Sequence, residues 1–277
     1  MSTRLANRFA ALKEEGRAGL VTFTMAGDPD MKTSLEIMRG LPGAGADIIE
    51  IGMPHSDPIG DGPVIQLAGN RSLKAGTLMS DVLDMVRAFR RDDLSTPVIL
   101  MGYINPILNF GIGQFFQAAA DDGVDGFIMV DVPLEEEDLI RGAADRAGLP
   151  IIRLLPPTAD DARIATLVNG ASGFLYHVAL AGVTGSRDVD ATAVEAKVKR
   201  IRAATSLPVA VGFGIKTADR ARAIASVADA AVVGTALVDR IARNLTPDGK
   251  AGPHLVADAL AFVAELAAGV RSAKKAA

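Results

Sequence analysis

The chain has 277 residues, a formal net charge of −4, 49% hydrophobic residues, 4% aromatics and no cysteine. So mild an acidity gives no footing for nucleic-acid binding, and without thiols there is neither a disulfide framework nor a thiolate metal site. No apolar stretch approaches the roughly 20 residues that cross a bilayer, and the first residues mix Arg4, Arg8, Lys13 and Glu14 with Leu5, Phe9 and Leu12, an amphipathic pattern rather than a signal peptide, so a cytoplasmic protein is expected.

From residue 20 onward, short apolar runs alternate with longer segments of helical period. The runs cover residues 20–26, 47–52, 97–101, 126–130, 151–155, 173–178, 208–212 and 228–233. Between them, residues 32–44, 78–91, 115–122, 134–147, 160–168, 191–204 and 218–227 repeat apolar side chains at three- and four-residue steps. The apolar residues are mainly Ala, Val, Ile and Leu, which suits parallel strands buried on both faces. Such alternation implies right-handed βαβ units. Eight of them predict a closed (β/α)8 TIM barrel, α/β in class, as one domain over residues 1–277. An open nucleotide-binding sheet fits less well, because Ala26-Gly27-Asp28-Pro29 follows the first run where Gly-x-Gly-x-x-Gly would be required. Residues 1–16 form an extra N-terminal helix placed to close the barrel bottom, and residues 252–270 the final outer helix.

Barrel chemistry sits at the C-terminal ends of the strands and in the loops that follow. Glu50 interrupts the second apolar run, where an unpartnered charge costs a few kcal/mol. Asp61 lies in the Pro- and Gly-rich loop just after it. Alone, Asp61-Gly62 is ordinary turn chemistry. As a pair, a semi-buried and a loop carboxylate titrate differently, so one can exchange protons while the other stays ionised. A second constellation is Gly212-Phe213-Gly214 after strand seven and Gly234-Thr235 after strand eight, the latter opening a helix over residues 236–243. Backbone N–H groups there can approach a phosphate, helped by the helix dipole. After strand six, residues 179–188 carry Gly182, Thr184 and Gly185, either a mobile lid or an ordinary long connection. His55 and His177 both fall near the active face, but no ligand motif surrounds them and no metal is expected. Lys216, near the end of strand seven, reads as a solvated loop lysine rather than a Schiff-base nucleophile.

Residues Glu50 to Gln66, with Met101-Gly102-Tyr103-Ile104-Asn105-Pro106, Val130-Asp131-Val132-Pro133, Pro156-Pro157-Thr158, Gly182-Val183-Thr184-Gly185 and Gly212-Phe213-Gly214-Ile215, resemble the tryptophan synthase alpha chain family over nearly the whole chain. The resemblance implies a lyase that cleaves indole-3-glycerol phosphate to indole and glyceraldehyde 3-phosphate. It casts Glu50 as general acid and base and Asp61 as the carboxylate on the indole N–H. It makes Phe23, Leu100, Ile128 and Tyr176 the indole neighbours, Thr184 a substrate contact, and Gly185, Gly214, Gly234 and Thr235 the phosphate cradle. It also implies no cofactor in this chain and a beta-chain partner, itself carrying pyridoxal phosphate, in an α2β2 heterotetramer. Departures from the family pattern are His55 for phenylalanine, Gly60 for alanine, Ala179 for serine, Leu180 where arginine is frequent, and Thr235 for serine. Two other functions compete: a sugar-phosphate isomerase or epimerase built on the same barrel, and a catalytically weak barrel kept to activate a beta chain.

Overall fold

The apolar runs fold into eight strands, because segments rich in Val, Ile and Leu can bury both faces only inside a parallel sheet. They are β1 (Gly19–Met25), β2 (Ile48–Gly52), β3 (Val98–Gly102), β4 (Gly126–Met129), β5 (Arg153–Leu155), β6 (Leu175–Val178), β7 (Val209–Gly212) and β8 (Ala230–Val233). The structure, a computed structural model, describes residues 3–179, 191–212 and 214–273. All pairings within the sheet are parallel, in the order β4-β3-β2-β1-β8-β7-β6-β5. A parallel bridge between Phe127 and Ile151 joins the two ends, with the Phe127 N–H donating to Pro150 O (3.0 Å) and the Ile152 N–H to Phe127 O (2.8 Å). The result is the expected (β/α)8 barrel.

The helices are α1 (Thr3–Glu14), α2 (Met31–Ala44), α3 (Pro63–Lys74), α4 (Met79–Arg90), α5 (Ile104–Phe110), α6 (Ile112–Asp121), α7 (Asp138–Ala147), α8 (Asp161–Val168), α9 (Ala191–Ala204), α10 (Ala218–Ala225), α11 (Thr235–Arg243) and α12 (Leu255–Arg271). Several starts are written in the sequence as side-chain caps. Asp30 accepts from the Thr33 N–H (2.8 Å), Asp160 from the Arg163 N–H (2.8 Å) and Thr217 from the Arg220 N–H (3.3 Å), each satisfying an orphan donor of the first turn. The outer ring packs through stripes such as Ile37, Met38 and Leu41 of α2, each worth about 1.5–3 kcal/mol when buried. Two helices were not read from the sequence: α3, whose N1 proline looked like the end of a loop, and α5, which carries Pro106 in its first turn. Among the described residues no helix is long and apolar enough to cross a membrane.

Inside the barrel, side chains alternate by strand period. Val21, Ile48, Ile99, Ile128, Ile152, Phe174, Ala210 and Ala230 form an inner cluster, and α1 closes its lower end with Leu5, Phe9 and Leu12. Below them, aspartates just ahead of β2, β4 and β8 repeat one device. Asp47 accepts from the Leu20 N–H (2.8 Å), Asp125 from the Val98 N–H (2.9 Å) and Asp229 from the Val209 N–H (2.9 Å). Each is also paired with arginine: Asp47 with Arg8 and Arg17, Asp125 with Arg4 and Arg90, and Asp229 with Arg202. These clamps tie neighbouring strands together at the bottom and leave the top face for chemistry.

Candidate active site

Glu50 is the third residue of β2, a strand buried throughout, and its side chain points into the barrel, opposite Phe23 of β1 and Ile99 of β3 in register. It is 1% exposed, and neither carboxyl oxygen has a hydrogen-bond partner among the described residues. Burial, and then the negative charge of Asp61, push its pKa up to about 8. The group is therefore mainly protonated at neutral pH and poised to give a proton away.

Asp61 comes from the loop after β2. That loop is held by the Asp61 N–H donating to Pro58 O (3.0 Å), by Gln66 Nε2 donating to Asp61 O (2.8 Å), and by the Gly60 N–H donating to the Tyr103 hydroxyl (3.0 Å). Burial raises Asp61 to about 6, against the lowering effects of a hydrogen bond from Tyr103 and of His55. Two carboxyls on one strand-loop unit thus titrate on opposite sides of neutrality, the condition for assigning one as acid and the other as anion.

The walls come from aromatic and aliphatic side chains that glycines make room for. A Cβ on Gly52 would lie 2.6 Å from Phe23 Cζ, and one on Gly212 would lie 2.7 Å from the Tyr176 hydroxyl, so both rings occupy space that only glycine leaves. Phe23 packs with Met25, Ala68 and Val238, and with the partly buried Val64, Ile65 and Met101, roofing the barrel. Tyr176 packs with Met101 and Leu154 around the inner cluster, and its phenol is pushed well above its ordinary value by burial and by Glu50. Ile128 belongs to that inner cluster and is fully buried beneath the mouth.

Leu100 is placed differently from expectation. Ile99 and Met101 point inward, so Leu100 points outward, fully buried against the helices with Ile49, Ile51 and Phe127. In a strand buried on both faces both sides are apolar, so hydrophobicity cannot reveal the parity that decides which residue sees the barrel interior. Met101, paired with Ile128, holds the inward position. Val64 and Ile65, on helix α3, and Tyr103 are further mouth residues; they fall within the motifs that carry the family resemblance, but no role was read for them there. Alternation counted from Glu50 and Phe23 would have found Met101.

For the anion constellation, Gly214, two residues after β7, is exposed with a positive φ of 58°, and Gly234 follows β8 as the N-cap of α11, with Thr235 its first residue. Gly234 supplies no side-chain cap, so the first N–H groups of α11 are left for another acceptor. Thr184, Gly185, Leu180 and Phe213 lie outside the described residues. His177 faces the opposite side of β6 from Tyr176, its Nδ1 3.0 Å from Leu155 O, whereas His55 stacks on Tyr103; the two imidazoles belong to different environments.

The fold is that of the (β/α)8 enzymes, and the two perturbed carboxyls lie where that class keeps its chemistry, at the C-terminal ends of the strands. The model of the Tryptophan synthase alpha chain family matches residues 9–269, and the chain belongs to that family. A tryptophan synthase subunit alpha from Legionella pneumophila superposes with a TM-score of 0.88 at 36% identity, covering 96% of this chain and 98% of that one. A tryptophan synthase from Mycobacterium tuberculosis, in an open form, gives a TM-score of 0.85 at 31% identity over 98% of this chain and 100% of that one. A structure from Aquifex aeolicus gives 0.86 at 36% identity over 97% and 99%. The family catalyses the alpha reaction, so this chain is a lyase subunit of tryptophan biosynthesis that cleaves indole-3-glycerol phosphate.

Proposed function

We propose that the cleavage is a retro-aldol reaction run by Glu50 and Asp61, with residues 1–277 acting as one barrel domain. Glu50, protonated at the outset, delivers its proton to indole C3. The resulting carboxylate then takes the proton of the side-chain hydroxyl next to the scissile bond. As that O–H breaks, the carbonyl of glyceraldehyde 3-phosphate forms, and the carbon–carbon pair flows back into the ring to release indole. Glu50 ends as it began, protonated. Between the two steps the ring nitrogen carries positive charge, and ionised Asp61 stabilises its N–H. The observation that carries this reading is the buried Glu50, without a hydrogen-bond partner among the described residues and held near pKa 8, beside an Asp61 held near 6.

Phe23, Met101, Ile128 and Tyr176 are the indole neighbours in this reading, Met101 taking the role expected of Leu100. Gly214, Gly234 and Thr235, together with Thr184 and Gly185, hold the glycerol phosphate. The partner is a beta chain in an α2β2 assembly, and pyridoxal phosphate belongs to that partner, with no cofactor in this chain. The protein is cytoplasmic. Ile59, 87% exposed on the Asp61 loop, supports a partner contact that orders this loop.

Incubation with indole-3-glycerol phosphate, with and without a beta chain, tests the reading by indole release. Release from the isolated chain, raised by the beta chain, is expected. No release under either condition refutes the lyase reading, and activation of the beta chain without indole release would favour the weak-barrel alternative. For the anion site, Gly214→Asp keeps a left-handed backbone that aspartate tolerates while placing a carboxylate against the phosphate. A KM increase of about 10- to 100-fold, equal to roughly 1.4–2.7 kcal/mol, is expected with kcat less affected. An unchanged KM would move the phosphate elsewhere.

A further inference from the structure

His55, Gly60 and Asp61 lie in one loop, and all three converge on Tyr103 from the loop after β3. The His55 and Tyr103 ring centroids are 5.2 Å apart with the planes tilted by 32°. The Tyr103 hydroxyl accepts from the Gly60 N–H at 3.0 Å and donates to the Asp61 carboxylate. Tyr103 is 3% exposed, and burial followed by the charge of Asp61 drives its phenol up to about 12, so it remains a donor across the working range. A Cβ on Gly60 would lie 2.7 Å from Val130 Cγ1 and 3.3 Å from the Tyr103 oxygen, so the bare glycine is what lets the loop close onto the phenol. His55 is half-buried, and its charge acts favourably on Asp61.

We propose that His55 is a positioning residue for the lyase reaction: braced on Tyr103, its imidazolium sets a positive charge beside the Asp61 carboxylate, while Tyr103 clamps that carboxylate at the mouth. The proposal rests on the role given to Asp61 above. Among the described residues, the other titratable groups set against this cluster are acidic. Glu50 faces Asp61 from β2, Asp131 reaches Tyr103 from the loop after β4 while accepting from the Ile104 N–H (3.0 Å), and Asp57 is exposed in the same loop. Glu50, protonated up to about pH 8, is neutral where Asp61 titrates, so the imidazole is the one charge among these groups that acts on Asp61.

The test is a pair of titrations on the full chain and on His55→Phe, which keeps an aromatic ring against Tyr103 but cannot be charged. In the unliganded protein, the 13Cγ resonance of Asp61 is followed against pH. Its midpoint is expected to rise by about half to one pH unit in the variant, the scale for losing a partly screened opposite charge. In the second measurement, the acid limb of kcat/KM moves up by the same amount, costing about threefold at pH 6, while the alkaline limb stays in place. Tyr103→Phe, which removes the donor but not the imidazole, should raise the Asp61 midpoint as well. An unmoved Asp61 midpoint in His55→Phe overturns the proposal, as does a uniform drop in kcat/KM with both limbs fixed. Failure of the parent chain to release indole would instead strike the lyase reading, and the Asp61 titration would still decide the role of His55.

Discussion

Glu50→Gln is expected to lower indole release by about three orders of magnitude, the upper part of the range for acid–base catalysis, because one carboxyl gives a proton and then takes another. The same substitution should make the folded chain harder to unfold in alkaline solution. The sign follows from linkage. Glu50 is raised from an ordinary value near 4.5 to about 8 in the folded protein, so between those values the native state holds a proton that the unfolded state has lost. Stability falls as pH climbs through that window, by roughly 5 kcal/mol in all, and is then level above it. Glutamine is isosteric and never charges. Its urea midpoint should match the parent near pH 4.5, apart from the cost of its own buried amide, and exceed it at pH 8.5. Equal midpoints at pH 8.5 would show that Glu50 ionises without penalty in the native state, and the acid role would lose its physical basis. A large loss of activity joined to a gain in stability is the pattern of a residue kept for chemistry against the interest of the fold.

That conflict is also why Glu50 was legible in the sequence. A carboxylate in an apolar run has no structural excuse, whereas Asp61 beside Gly62 resembles any turn and drew attention only through its neighbour. The strands were legible because burial on both faces leaves continuous apolar runs, and the caps at Asp30, Asp160 and Thr217 are local. For the same reason the inward and outward sides of β3 were not legible, and Leu100 stood where Met101 belongs. Helix α3 was hidden because its first residue, Pro63, follows an Asp-Gly pair and reads as loop, yet it brings Val64 and Ile65 to the mouth. The meeting of His55, Gly60 and Asp61 on Tyr103 had no sequence signature. Tyr103 lies about forty residues further along the chain, and only pairing of β2 with β3 brings the two loops together.

Asp61→Asn should reduce kcat by about two to three orders of magnitude, the loss expected when a preorganised charge facing a developing cation is replaced by a dipole. Asparagine can still accept from Tyr103, so the loop should keep its place and KM should change less than kcat. The sharper consequence lies in the pH profile. Asp61 contributes to holding Glu50 near 8 by repelling its ionised form, after the larger effect of burial. Removing that charge lets Glu50 ionise more readily, so the alkaline limb of kcat/KM should move to lower pH while the acid limb due to Asp61 near 6 disappears. The substrate phosphate has its own second ionisation near 6, so any acid limb left in Asp61→Asn reports the phosphate, and a phosphonate analogue with a different ionisation would shift it. Burial alone would leave the alkaline limb where it was, because burial of Glu50 is unchanged by the substitution. A fixed alkaline limb would therefore separate the two carboxyls electrically and leave Asp61 as a hydrogen-bond partner of the ring nitrogen without influence on the acid. A limb that moves down makes the pair a coupled unit, in which the anion that steadies the indole cation also keeps the proton on the acid that creates it.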